Sequence, residues 1–235
     1  MSVAPEENAL PLVNIEDVPH VEELYKFLGI REDMTFVAEA FDQVATLMQE
    51  EPQPDPSQDE SRKDKRWVLQ QALFSAAVIA YARCFGSGVR GKLESAALDQ
   101  LPQNEPGAAR QLHRFVCDLR DKHVAHSVSP FEAVMVGGLC HAGESGQQDP
   151  VAGVGWLTIR GLPAGVELAI GLRDLARCWV NYLEEQIKLV QEQVLEELKR
   201  EGPAAMAQRP GIQYTIPSAD AAGIARRFGR GIGPF

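Results

Sequence analysis

The feature that most constrains the fold is one apolar stripe in the last third of the chain. Leu168, Leu172, Leu175, Trp179, Leu183, Ile187, Val190, Val194 and Leu198 recur at three- and four-residue spacing, with no proline between them. That spacing places successive side chains on one face of a helix. The pattern predicts a helix from Val166 to Arg200, entered through the turn Gly161-Leu162-Pro163-Ala164-Gly165. Thirty-odd residues at 1.5 Å each span about 50 Å. A helix that long outruns a compact domain of this size, so its end is expected to project or to pair with a second chain. Its acidic side, with Glu184, Glu185, Glu192, Glu196 and Glu197, reads as solvated surface.

The chain has 235 residues, enough to enclose a core. It is 45% hydrophobic and 24% charged, which is ordinary globular usage. The net charge of −10 argues against a broad nucleic-acid footprint, because phosphates are bound by surplus Lys and Arg. A local basic site stays open. Cys84, Cys117, Cys140 and Cys178 lie far apart with no Cys-x-x-Cys pair, and three of them sit in helical, apolar stretches. They read as reduced core thiols of a cytoplasmic protein. No His-Glu-x-x-His or similar ligand set occurs, so neither a metal nor a cofactor is expected. The N-terminal residues lack a basic region followed by an apolar run, and no apolar run reaches bilayer length. No membrane role is expected.

Taken in order, the chain reads as mainly α: an antiparallel helical bundle with a small two-stranded antiparallel β insertion. Residues 1–19 carry Pro5, Pro11 and Pro19 and read as an extended arm. Residues 20–201 form the helical domain. Its first helix is expected to stop near Gly29, and a second to follow Asp33 along Phe36, Val37, Ala40, Phe41, Val44, Leu47 and Met48. Residues 50–66 alternate prolines with acids and then turn basic, which predicts a flexible loop. Residues 66–85 are apolar on nearly every side, as expected of a helix in the middle of a bundle. Gly86 and Gly88 stop it, and Arg83, Arg90 and Lys92 leave a basic patch there. The glycines do not have phosphate-loop spacing. A short helix is expected over 92–98.

The β insertion, residues 131–161, comprises strands at 131–136 and 154–160 with a long glycine-rich loop between them. Residues 202–235 hold four prolines and Arg226, Arg227, Phe228, Arg230 and Phe235. They read as a flexible tail, either unstructured or able to grip an acidic protein surface or nucleic acid.

One stretch clusters chemistry-capable side chains, Leu119-Arg120-Asp121-Lys122-His123-Val124-Ala125-His126-Ser127. From Ala108 a helix is expected. Along it Leu112, Val116, Leu119, His123 and His126 step by four, three, four and three. The apolar seam thus ends in two histidines, which face inward or toward a partner. On an ideal helix Arg120 lies about 60° around from His123 and about 120° from His126. Arg120 and His126 converge only if the helix distorts after Ala125 or if a second subunit supplies one of them.

Arg120 and His126, five residues apart in between, resemble the Arg-x(4–6)-His motif of the HEPN superfamily. The wider segment Asp118–Ser127 is similar to bacterial HEPN-like proteins. So is Tyr81-Ala82-Arg83-Cys84-Phe85, a Tyr-Ala-Arg-x-Phe stretch on an earlier helix. The resemblance covers roughly residues 35–200, and the strand insertion departs from the minimal bundle. It implies a HEPN-like helical domain that forms a homodimer. Many members are metal-independent endoribonucleases of bacterial toxin–antitoxin, defence or stress systems. Others keep the fold and act as RNA-binding or assembly modules.

The residue chemistry fits an RNA-cleaving role. Attack by the RNA's own 2′-hydroxyl needs a group that takes its proton and a cation facing the phosphate. A histidine exchanges protons near neutral pH, and an arginine offers a permanently charged fork. On this reading His126 transfers the proton and Arg120 clamps the phosphate. His123 assists, and Asp121 holds a tautomer. Arg83, Tyr81, Arg90, Lys92 and Lys122 line the substrate side. The alternative is a non-catalytic helical dimer in which these histidines are satisfied core or helix-end groups.

Overall fold

The computed structural model describes residues 12–50, 60–86, 91–102, 107–124, 132–140, 151–162 and 165–212. The chain is mainly helical, with one two-stranded antiparallel sheet. Helix α1 spans Val21–Gln49, α2 Glu60–Arg83, α3 Ala108–Leu119, α4 Val166–Glu201 and α5 Pro203–Gln208. A 3-10 turn covers Ser95–Gln100, and a π turn covers Arg120–Val124. Strands β1 and β2 span Glu132–Cys140 and Val151–Arg160.

The stripe on α4 organises the core as expected. Leu172, Leu175, Trp179, Leu183, Ile187, Val190 and Val194 are all buried. Its cover is α1, which runs antiparallel to it. Asp42, late in α1, meets Arg173 and Arg177, early in α4, at 3.1 and 3.4 Å. At the other end Asp17, just before α1, meets Arg209, just after α4, at 2.6 Å. At 36 residues α4 is about 54 Å long. Its far end is nevertheless packed, because α1 is nearly as long and keeps Val190 and Val194 enclosed. A second chain is not needed to cover that end.

Helix α1 is one helix, not two. The predicted stop near Gly29 does not occur. A glycine inside a helix costs about 1 kcal/mol relative to alanine. Burying Phe27, Ile30, Met34, Val37 and Phe41 across that point outweighs this cost. Helix α1 also packs on α2, again antiparallel. Arg66 donates to the carbonyls of Leu47 and Glu50, and Arg83 pairs with Asp33. The central position expected for residues 66–85 therefore belongs to α1. Helix α2 buries Phe74, Ala77, Val78 and Tyr81, while Val68, Leu69 and Ile79 face out. It also begins at Glu60, inside the stretch 50–66 read as a loop, and the Arg66 bonds occupy the last carbonyls of α1.

The short helix expected over 92–98 is the 3-10 turn at Ser95–Gln100, which buries Leu98. Gly107, at φ 83° in the left-handed region that favours glycine, precedes helix α3. The helix packs on α2, on α4 and on the 3-10 turn.

The strands are longer than the pattern implied. Nine pairs run from Glu132 opposite Arg160 to Cys140 opposite Val151, with an irregularity after Leu139. Residues predicted as the start and end of the loop thus continue the ladder. Positions 141–150 lie outside the described residues. Among the described elements, the strands pack on each other and on no helix to a comparable extent.

The segments read as an arm and a tail are joined where described. Val13 bridges to Gly211, Asn14 N–H donates to the Pro210 carbonyl at 2.8 Å, and Ile212 N–H to the Leu12 carbonyl at 2.9 Å. Gly202, at φ 82°, ends α4, and Pro203 opens α5 where its missing N–H costs nothing. Positions 1–11 and 213–235, including the tail arginines, lie outside the described residues.

Candidate functional site

Helix α3 carries the candidate cluster at its C-terminal end. Val116 and Leu119 are buried and Leu112 and Phe115 pack against the core, so the seam holds as far as Leu119. One residue later the backbone changes. From Arg120 to Val124 it follows a π turn, in which hydrogen bonds span five residues instead of four. The side-chain stacking that carried the seam at four-residue steps therefore does not extend past Leu119. The backbone therefore leaves ideal helical geometry from Arg120 onward. Positions 125–130, where a distortion was expected to bring Arg120 toward His126, lie outside the described residues.

The charged members of the cluster face solvent. Arg120 pairs with Asp121 at 2.8 Å, and their side chains are 45% and 61% exposed. Lys122 reaches Asp118, one turn back, at 3.4 Å. The His123 side chain and all of His126 lie outside the described residues, as does Arg90. Lys92 is exposed and sits 3.7 Å from Glu94.

Tyr81 is buried, whereas Arg83 is 55% exposed and differs from Arg120 in its partner. Arg83 grips Asp33 with both arms of its guanidinium, with Nε to Oδ2 at 2.7 Å. Asp33 is a buried carboxylate on the inner side of α1. This bond raises the pKa of Arg83 above its ordinary value. Tyr81 is fully buried, and its hydroxyl lies 3.2 Å from His113 Nδ1. A side chain so enclosed meets no substrate in this conformation. Burial, above all, raises the Tyr81 pKa, so the phenol stays protonated and shares a hydrogen bond with Nδ1. The other ring nitrogen faces Cys117 Sγ at 3.8 Å. The indole N–H of Trp179 acts on the Tyr81 oxygen electrostatically, opposing part of that rise. It has no partner of hydrogen-bond geometry among the described residues.

His113 is itself shaped by this setting. Burial first, then the nearby Arg110, lowers its pKa below the ordinary imidazole value. The Phe85 ring meets the imidazole edge-on at 4.4 Å. Burial also raises the Cys117 thiol, with Asp121 adding to the shift, so the His113–Cys117 pair lacks the depressed thiol of a nucleophile. Cys84 donates to the Ala80 carbonyl at 3.2 Å. Cys117 and Cys178 are free thiols. This group is scaffold, and it places the start of α3 against α2 and α4.

The sequence reading took Asp33 only as a helix start and Arg66 only as part of a basic run, and it did not single out His113. Asp33 and His113 each carried a signal. Asp33 sits at helical spacing between Ile30 and Val37, an acid on an apolar seam. His113 sits four after Ala109 and three before Val116.

A pocket of about 230 Å³ opens between α1 and α4, lined by Thr35, Glu39, Asp42, Arg177 and Asn181 among others. It draws no residue from α3, and it is smaller than the roughly 300 Å³ at which ligand pockets begin. Among the described residues no group of three or more His, Cys, Asp or Glu is placed to hold a metal ion. No described helix is long and apolar enough to cross a membrane.

Fold and site together define a mainly helical chain with a projecting two-stranded sheet and an exposed Arg-Asp-Lys cluster at the end of α3. No protein-family model, curated protein or solved structure matches it.

Proposed function

We propose that this chain is a HEPN-like protein that acts on RNA as a metal-independent endoribonuclease in a bacterial defence or stress setting, and that it works as a homodimer. The observation that carries the reading is the π turn at Arg120–Val124, which lies within the motif and leaves Arg120 and Lys122 open to solvent. Single π turns inside helices recur at functional sites. In a chain of net charge −10, two exposed cations at one helix end form a local site for a phosphate.

The proposed step balances without an added reagent. His126 takes the proton of the RNA 2′-hydroxyl, and that oxygen bonds to phosphorus. The bond from phosphorus to the 5′-oxygen breaks, and the leaving oxygen takes a proton from water. The products are a 2′,3′-cyclic phosphate and a 5′-hydroxyl. Arg120 faces the charge that builds on the phosphate oxygens.

The test is cleavage of an end-labelled RNA in EDTA. Wild-type protein is expected to leave a cyclic phosphate and to spare RNA whose 2′-hydroxyls are replaced by hydrogen. His126→Ala is expected to slow cleavage by about 10²–10⁴-fold, the usual range for a proton-transfer group. Equal cleavage of the deoxy-substituted strand would sink the mechanism.

A second reading has its own support. Arg120 and Lys122 already have carboxylate neighbours in Asp121 and Asp118. A non-catalytic binding module would bind RNA or a protein partner at this surface and turn nothing over.

A further inference from the structure

Strands β1 and β2 form a ribbon that is apolar on both sides. Val134, Val136, Val154 and Trp156 lie on one side, and Met135, Leu139 and Leu157 on the other. All seven are exposed, Trp156 to 76%. From Ala133 to Cys140 and from Val151 to Ile159 there is no charged residue and no proline. Exposed strand edges usually carry such residues to block pairing. An isolated two-stranded ribbon is at best marginally stable in water.

Helix α2 leaves a second apolar surface uncovered. Val68, Leu69, Ala72 and Ile79 recur along its outer side. Its sequence has the all-round apolar character of an inner helix, yet this protomer encloses only one side.

We propose that these two surfaces are halves of one interface between two copies of this chain. The ribbon of each protomer lies over the outer side of α2 on the other. The arrangement is isologous and closes on two copies. The Val134–Trp156 side of the ribbon and the outer side of α2 together expose on the order of 800 Å² per copy, about what each partner contributes to a standard interface. An extended peptide pairing with one ribbon edge would leave both apolar sides wet. A second copy brings an apolar helical surface of matching character. This proposal deepens the dimer part of the functional reading and does not depend on catalysis.

The experiment is sedimentation of the full chain at micromolar concentration, without RNA. Wild type is expected at twice the 25.8 kDa chain mass. Trp156→Asp with Val136→Asp, and separately Val68→Asp with Ile79→Asp, are each expected to weaken association about 100-fold or more. Both should then run at the mass of one chain with unchanged helical circular dichroism. Leu195→Asp, on the exposed side of α4, should remain dimeric. Amide exchange gives a readout free of substitutions: protection of residues 132–140 and 151–160 should fall on dilution. A wild type at the mass of one chain overturns the proposal. So does a dimer that survives either double substitution, or ribbon protection that dilution leaves unchanged. Neither Arg120 nor His126 is altered, so failure here is distinguishable from failure of the ribonuclease reading.

Discussion

Asp33 brings a carboxylate into the interior of the bundle, and Arg83 meets it from fifty residues away with a two-armed, charge-assisted bond. Arg120 touches only its own neighbour and stands in solvent. Replacing Arg83 by Gln removes the charged partner of a buried group and should destabilise the fold by about 1–3 kcal/mol in urea denaturation. Arg120→Gln should stay within about 0.5 kcal/mol of wild type. In sequence both arginines belong to one expected site, Arg120 as the phosphate clamp and Arg83 on the substrate side. Only the long-range pairing separates them, and local pattern carries no information about it.

His113 gives a second prediction at this scale. Its folded pKa lies below the ordinary, unfolded value of about 6.5. Below that value the unfolded chain binds the proton more readily than the native one, so stability falls as pH drops. The contribution is complete above pH ~6.5 and declines below it until the folded pKa is passed. His113→Phe should remove that part of the slope below about pH 6.5 in denaturation curves. A slope unchanged by the substitution would mean that other groups account for it.

At the scale of elements, legibility follows periodicity. Helix α4 was readable almost to the residue, because an unbroken stripe of nine apolar side chains has no competing interpretation. The strands were recognisable by type but not by length, because Gly137, Gly138 and Gly153 read as loop although the ladder runs through them. Helix α1 was misread as two because a glycine suggested a stop where packing on α4 holds the helix straight through. The π turn left no signal in the spacing, since it depends on how the end of α3 meets its surroundings. Deleting Lys122 should relieve the wide turn and rotate all that follows it. The thermal midpoint should move little, whereas RNA cleavage should be lost. Retained cleavage would mean that the turn does not position the site.

The strap formed by residues 12–18 and 203–212 is also an element-scale feature. Arg209 reaches Asp17, Glu201 and the Asn14 carbonyl together. Arg209→Ala should accelerate amide exchange of Asn14 and Ile212, whose N–H groups hold the bridge, and leave the core of α1 and α4 protected. Equal exchange in both proteins would show that the backbone bridge is sufficient.

At the scale of the whole molecule, the antiparallel α1–α4 pair sets the length, α2 and α3 pack along it, and two chemically distinct regions result. One is the group of Asp33, Tyr81, His113 and Trp179, with Arg83 reaching Asp33 from the surface, which fixes the helices. The other is the exposed end of α3. The central claim is that function resides in the second region and not the first. The most direct measurement is metal-free RNA cleavage by Arg120→Ala beside Arg83→Gln, each normalised to the folded fraction. The account predicts that Arg120→Ala loses at least about 100-fold in rate, while Arg83→Gln cleaves like wild type per folded molecule. Cleavage that persists in Arg120→Ala, or that wild-type protein never performs, would contradict it.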